Sequence, residues 1–238
     1  MIREYTVCVA IGLMTVATAT AGPVFEEPPG EDAGQSLTTA TSVSATGGGY
    51  VGVVKGELKG TSGLLGGVGD YVDLYEIYIE DVAQFSAETM NLGGDDSLRD
   101  PCMYLLDSQG LGLIAMNNQG DNNLQSRLIN SDGQGGLLFD TPGIYYLAIT
   151  SAPIEMLVED AAGERVPLFE MGLPDNQQGP VYPRNAWADL PLYDWTAPTD
   201  LENYGRYEIM LTGVGSVPAP GVLALLGCAG LACRRRRR

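Results

Sequence analysis

Two acidic loops carry the residue types best suited to chemistry in this chain. Residues 93–100 read GGDDSLRD and supply Asp95, Asp96 and Asp100, while residues 119–123 read QGDNN and supply Asp121, Asn122 and Asn123. Carboxylate and carboxamide oxygens are the hard donors that calcium prefers. Asp95, Asp96, Asp121 and Asn122 are therefore the candidate calcium ligands. Neither loop has the twelve-residue spacing of a helix–loop–helix calcium site, because no glutamate falls at the closing position. The alternative is a pair of solvated turns in which Asp and Asn stabilise the backbone.

A second set is aromatic. Residues 151–203 hold both tryptophans and seven of the fourteen prolines, and include Tyr182, Trp187, Tyr193 and Trp195. These four rings form either a platform for sugar rings or the anchors that pin a long excursion back onto the fold.

Several chemistries are excluded or unsupported. The chain has no histidine, which removes Ser-His-Asp and Cys-His catalysis, histidine zinc ligands and histidine pH switches. Cys102 is the one cysteine of the body, so no disulfide forms there; a lone cysteine in a strand-like run reads as a small core residue. No phosphate-cradling glycine loop is present, since Gly47, Gly48 and Gly49 lack a following Lys-Ser/Thr. A carboxylate-pair glycosidase needs only two suitably spaced acids, yet nothing in the sequence singles out a pair. Without the first 21 residues and the last five arginines, 7 basic residues face 29 acidic ones. A body this negative repels phosphate backbones and argues against nucleic acid.

The elements that must position these residues are strands. In DLYEIYIE, Tyr75, Ile77 and Ile79 share one face, and Glu76, Tyr78 and Glu80 the other. Tyr145, Leu147 and Ile149 line up in GIYYLAIT, as do Tyr207, Ile209 and Leu211 in GRYEIMLT. A period of two marks half-buried strands. VGVVKGEL, FSAETM, CMYLLD and LGLIAM add shorter candidates, separated by Gly, Asp and Asn clusters. The expected fold is all-β, an antiparallel, jelly-roll-like β-sandwich over residues 50–214 with an excursion at 151–203. Residues 22–49, rich in Gly, Ser, Thr and Pro, read as a linker or a loose first strand.

The two ends read as short hydrophobic helices. Residues 1–21 combine an early positive charge at Arg3, an apolar stretch and the small residues Ala19 and Ala21, the pattern of a secretory signal peptide. At the other end, Pro218 and Pro220 precede the apolar run 221–233 and the cluster Arg234, Arg235, Arg236, Arg237 and Arg238. That run spans only about 20 Å as a helix, short for a bilayer, and the arginines resist crossing it. The order implies export, transient membrane insertion and retention of the tip.

Val217, Pro218, Ala219 and Pro220, followed by the apolar run and the arginine cluster at 217–238, resemble the PEP-CTERM sorting signal of bacterial surface proteins. Ala219 stands where that family usually has glutamate. The resemblance implies processing by signal peptidase and an exosortase-like membrane protease, with a destination at the cell surface or beyond. In the body, Gly69-Asp70 through Asp73-Leu74-Tyr75, MYLLDSQGLGLIAMN, PGIYYLAIT and YEIMLTGV resemble the bacterial pre-peptidase C-terminal domain. Asp107, Ser108, Gln109 and Gly110 sit where that family has its Asp-x-x-Gly turn. This resemblance implies a non-catalytic β-sandwich for binding or display, in a family with some calcium-binding members.

Three functions follow as expectations. The first is a non-catalytic exported surface or extracellular-matrix protein that needs no cofactor, calcium aside, with polysaccharide or matrix as a partner. The second is a secreted carbohydrate-binding module built on the 151–203 aromatics. The third is a secreted carboxylate-dependent hydrolase.

Overall fold

The computed structural model describes residues 23–28, 31–45, 48–60, 69–117, 119, 123–152, 154–171, 179–196 and 204–218. The expected signal peptide, Ala219, Pro220, the apolar run and the arginine cluster lie outside them.

The described residues form fourteen strands and no helix: β1 (Val24–Glu26), β2 (Thr41–Ser42), β3 (Val53–Leu58), β4 (Val72–Ile79), β5 (Ser86–Thr89), β6 (Pro101–Leu106), β7 (Gly112–Met116), β8 (Arg127–Ile129), β9 (Gly143–Ser151), β10 (Met156–Glu159), β11 (Arg165–Pro167), β12 (Asp194–Trp195), β13 (Gly205–Thr212) and β14 (Val214–Gly215). They make three sheets. The first has the order β1-β3-β13-β5-β8, the second β14-β4-β9-β6-β7 with β2 also paired to β4, and the third β11-β10-β12. Among the described residues no helix is long and apolar enough to cross a membrane.

The period-two residues do what their spacing dictates. Tyr75, Ile77 and Ile79 on β4, Tyr145, Leu147 and Ile149 on β9, and Tyr207, Ile209 and Leu211 on β13 all belong to one buried cluster, joined by Val54 and Leu58 of β3. Each such side chain contributes about 1.5–3 kcal/mol when fully buried. Two sheets supply this cluster from facing sides, an all-β arrangement consistent with a β-sandwich.

The second sheet is covered on its other face as well. Val72, Leu74, Cys102, Tyr104, Leu106 and Ala148 join Ile154, Met156, Val158, Leu168, Phe169 and Trp195 in a separate buried cluster. Two-sided burial explains why β6 reads as an unbroken apolar run rather than an alternation. Part of the excursion is thus a third layer, the small β11-β10-β12 sheet laid over the second.

The sheets are mixed, which corrects the purely antiparallel expectation. β1 pairs parallel with β3 and β2 parallel with β4. A parallel neighbour requires a long crossover, and residues 27–52 and 43–71 provide the two. Both short strands belong to the segment expected as a linker or loose strand. It is an arm docked on both sheets, with Ala33, Val43 and Ala45 buried in the main cluster.

The chain leaves the last strand still attached to this arm. Ala45 N donates to Ser216 Oγ at 3.0 Å, Ser216 Oγ lies 2.9 Å from the Gly49 carbonyl, and Val217 N donates to the Val43 carbonyl at 3.2 Å.

Candidate metal centre

Where the arm meets β4, three carboxylates converge. Glu27, Asp32 and Asp73 each offer one oxygen, and these oxygens lie within 4.8 Å of one another. Calcium–oxygen bonds of about 2.4 Å let one ion bridge any two of these oxygens, and side-chain shifts of about 0.4 Å bring in the third.

Each candidate ligand is placed by local backbone structure. Glu27 follows β1 directly and its amide donates to the Lys55 carbonyl at 3.0 Å, extending the parallel ladder. Asp32 sits in a tight turn where Gly34 N donates to its Oδ1 at 3.1 Å. Gly34 has φ 76, the left-handed region that glycine tolerates, and its carbonyl accepts Leu74 N at 2.9 Å, holding the turn against β4. Asp73 is fully buried on β4, in phase with Tyr75, Ile77 and Ile79.

The hydrogen bonding of Asp73 is incomplete. Its Oδ2 accepts from Tyr207 Oη, while its buried Oδ1 has no partner. Tyr75 Oη lies 2.6 Å from Tyr207 Oη; because the single Tyr207 proton goes to Asp73, Tyr75 is the donor in that pair. Gly56 makes room for this relay, since a Cβ there would meet Tyr207 Oη and come within 2.6 Å of Tyr75 Oη.

Neighbouring acids share the predicament. Glu27 Oε1 and Asp70 Oδ1 are also buried without partners. Asp70 Oδ2 accepts Lys59 N at 3.1 Å, and Lys59 Nζ stands 3.9 Å away. Burial, reinforced by the Asp70 and Glu27 charges, pushes the Asp73 carboxyl well above its usual range. Burial likewise raises Glu27, and takes Asp70 to about 6. Unpartnered buried oxygens are costly, and a metal cation would partner those of Glu27 and Asp73. A cleft of about 340 Å³, lined by Glu27, Glu31, Lys55, Glu57, Lys59 and Arg206 among others, opens beside Glu27.

The donor set is all oxygen, with two aspartates and one glutamate. It suits calcium, whose coordination is large and flexible. Zinc favours nitrogen and sulfur.

None of these acids is singled out as a ligand by sequence spacing. One signal is present: Asp73 falls on the apolar face of a strand, where a carboxylate needs a partner.

The sequence-picked residues are placed otherwise. Asp95 and Asn123 line one cleft of about 410 Å³, so the two acidic loops do meet. Asp95, however, pairs with Arg99 at 2.7 Å and Asp96 with Arg206; Asp121 and Asn122 lie outside the described residues. The four aromatics each have an internal contact. Tyr182 Oη donates to the Ser131 carbonyl at 3.1 Å. The Arg184 guanidinium lies 5.3 Å from the centre of the half-buried Trp187 ring, and that of Arg165 lies 5.0 Å from the Tyr193 ring. Trp195 is only 8% exposed, packs edge-on at 5.3 Å against Tyr104, and donates through Nε1 to the Gln35 carbonyl at 2.8 Å. The enclosed Trp195 thus serves as an anchor, while Tyr182 and Tyr193 remain partly open. Of the tail motif, Val217 and Pro218 are described, and Val217 is tied to the arm.

No protein-family model matches this chain, and no curated protein matches it.

Proposed function

We propose that this chain is a non-catalytic, exported surface or extracellular-matrix protein whose N-terminal arm is clamped by a calcium ion at Glu27, Asp32 and Asp73. The observation that carries the clamp is the fully buried Asp73, whose Oδ1 has no partner and whose carboxylate belongs to a three-carboxylate cluster. Extracellular modules bind calcium at about 10⁻⁴–10⁻³ M, a regime that suits an exported protein.

The rest of the reading comes from the sequence. Residues 1–21 act as a signal peptide, and residues 217–238 as a PEP-CTERM-type signal cut by an exosortase-like protease. The body is a jelly-roll-like relative of the pre-peptidase C-terminal domain, with extracellular polysaccharide or matrix as its surroundings.

Native mass spectrometry of the protein recovered from its own host tests both halves. The expected species lacks residues 1–21, is trimmed or modified near 217–220, and carries calcium that Glu27→Gln removes and Asp95→Asn does not. An intact, unprocessed chain sinks the export reading. A processed chain free of calcium at millimolar supply sinks the clamp.

A further inference from the structure

We propose that cation occupancy at Glu27, Asp32 and Asp73 sets how firmly the third layer is held on the second sheet, with the arm as the coupling element. This rests on the calcium reading above.

The connection runs through a few residues. Asp32 is a ligand, and the turn it forms with Gly34 is hydrogen bonded to β4 at Leu74. The next residue, Gln35, faces two ways. Its Nε2 donates to the Gly69 carbonyl at 3.1 Å, and its own carbonyl accepts the Trp195 indole N–H at 2.8 Å. Two residues further, Leu37 packs into the cluster beneath the third layer, as does Ala40. Leu37 also lies against Gly110, whose carbonyl accepts Leu192 N at 2.9 Å, just ahead of β12. One short stretch therefore carries a metal ligand at one end and supports β12 at the other.

The energetics follow from what the arm leaves behind. If it detaches, the enclosed Trp195 N–H loses its acceptor and the second cluster loses Leu37. An orphaned buried donor alone shifts a local equilibrium by about tenfold or more. An ion that binds only the docked arm disfavours detachment by a factor of about 100 when calcium stands at 100 times its dissociation constant. Linkage makes the effect reciprocal, so loosening the third layer must weaken calcium binding.

Hydrogen exchange on the full chain, with calcium chloride or with chelator, reads this directly. The reporters are the amides of Leu168, Tyr193 and Thr196, which bond to Met156, Leu157 and Glu155. They are expected to exchange at least tenfold more slowly with calcium. Trp195→Phe keeps a ring but removes the N–H; it should abolish most of that difference and weaken calcium binding in calorimetry. Leu37→Ala provides the same reading should Trp195→Phe fail to fold. Calorimetric calcium binding with unchanged exchange at the three amides overturns the coupling. Absence of calorimetric binding overturns the clamp itself, and the coupling with it.

Discussion

Replacing Asp73 with asparagine should have opposite consequences with and without calcium. Two unit charges 4.8 Å apart, the limit for the Glu27 and Asp73 oxygens, repel by about 3.5 kcal/mol at an effective dielectric constant of 20. Without an ion the protein relieves this by favouring the protonated form of Asp73, whose carboxyl burial pushes well above its usual range. Asparagine mimics that neutral form. Its Oδ1 still accepts from Tyr207, and its Nδ2 donates to the carboxylates it faces. In chelator, Asp73→Asn should therefore lie within about 1 kcal/mol of the parent, the scale of a single hydrogen bond. In calcium the parent gains about 2.7 kcal/mol at 100 times the dissociation constant, and the variant gains almost none. For a chain of this size that gap is about 5–10 °C in Tm, readily resolved by scanning calorimetry. Equal destabilisation in both buffers, or a variant that keeps the calcium shift, refutes the assignment of Asp73 as a ligand.

Other outcomes follow from the same geometry. Gly56→Ala drives a methyl group onto the Tyr75 and Tyr207 hydroxyls and should cost about 1–3 kcal/mol, as overpacking does; a denaturant midpoint matching the parent contradicts it. In metal-free buffer, stability should fall as pH rises from about 4 toward 6 and beyond. Asp70 and Asp73 hold protons more tightly folded than unfolded, so their contribution is complete below about pH 3.9 and lost through the folded values. A urea midpoint that instead climbs over this range removes the buried-acid explanation. Cys102 is enclosed, with burial pushing its thiol up to about 12. It should resist alkylation in the native state and react only in denaturant, read by site-resolved mass spectrometry.

The strands were legible because a single residue period encodes them. Tyr207, Ile209 and Leu211 announce their face without help from the rest of the chain. The third layer was not, because β12 has two residues and β11 three, too few to display a period. The parallel pairings were equally hidden, since β1 and β2 are short and their partners lie far along the chain. The candidate metal centre was hardest. Glu27 and Asp32 look like solvated charge in a Pro/Gly-rich stretch, and only docking of the arm brings them to Asp73. The visible acidic loops offered oxygen in sequence, but the fold turns Asp95 and Asp96 toward arginines. Sequence shows where charge is dense; the topology decides which charges are sealed from water.

The arm covers hydrogen-bonding groups on both large sheets at once, through β1 on β3 and β2 on β4. Bare strand margins recruit strands from other molecules. Clipping residues 23–45 would thus uncap two margins in one cut, and the shortened protein should scatter more light than the intact protein and assemble into β-rich fibrils. In this molecule one N-terminal segment caps the margins of two sheets.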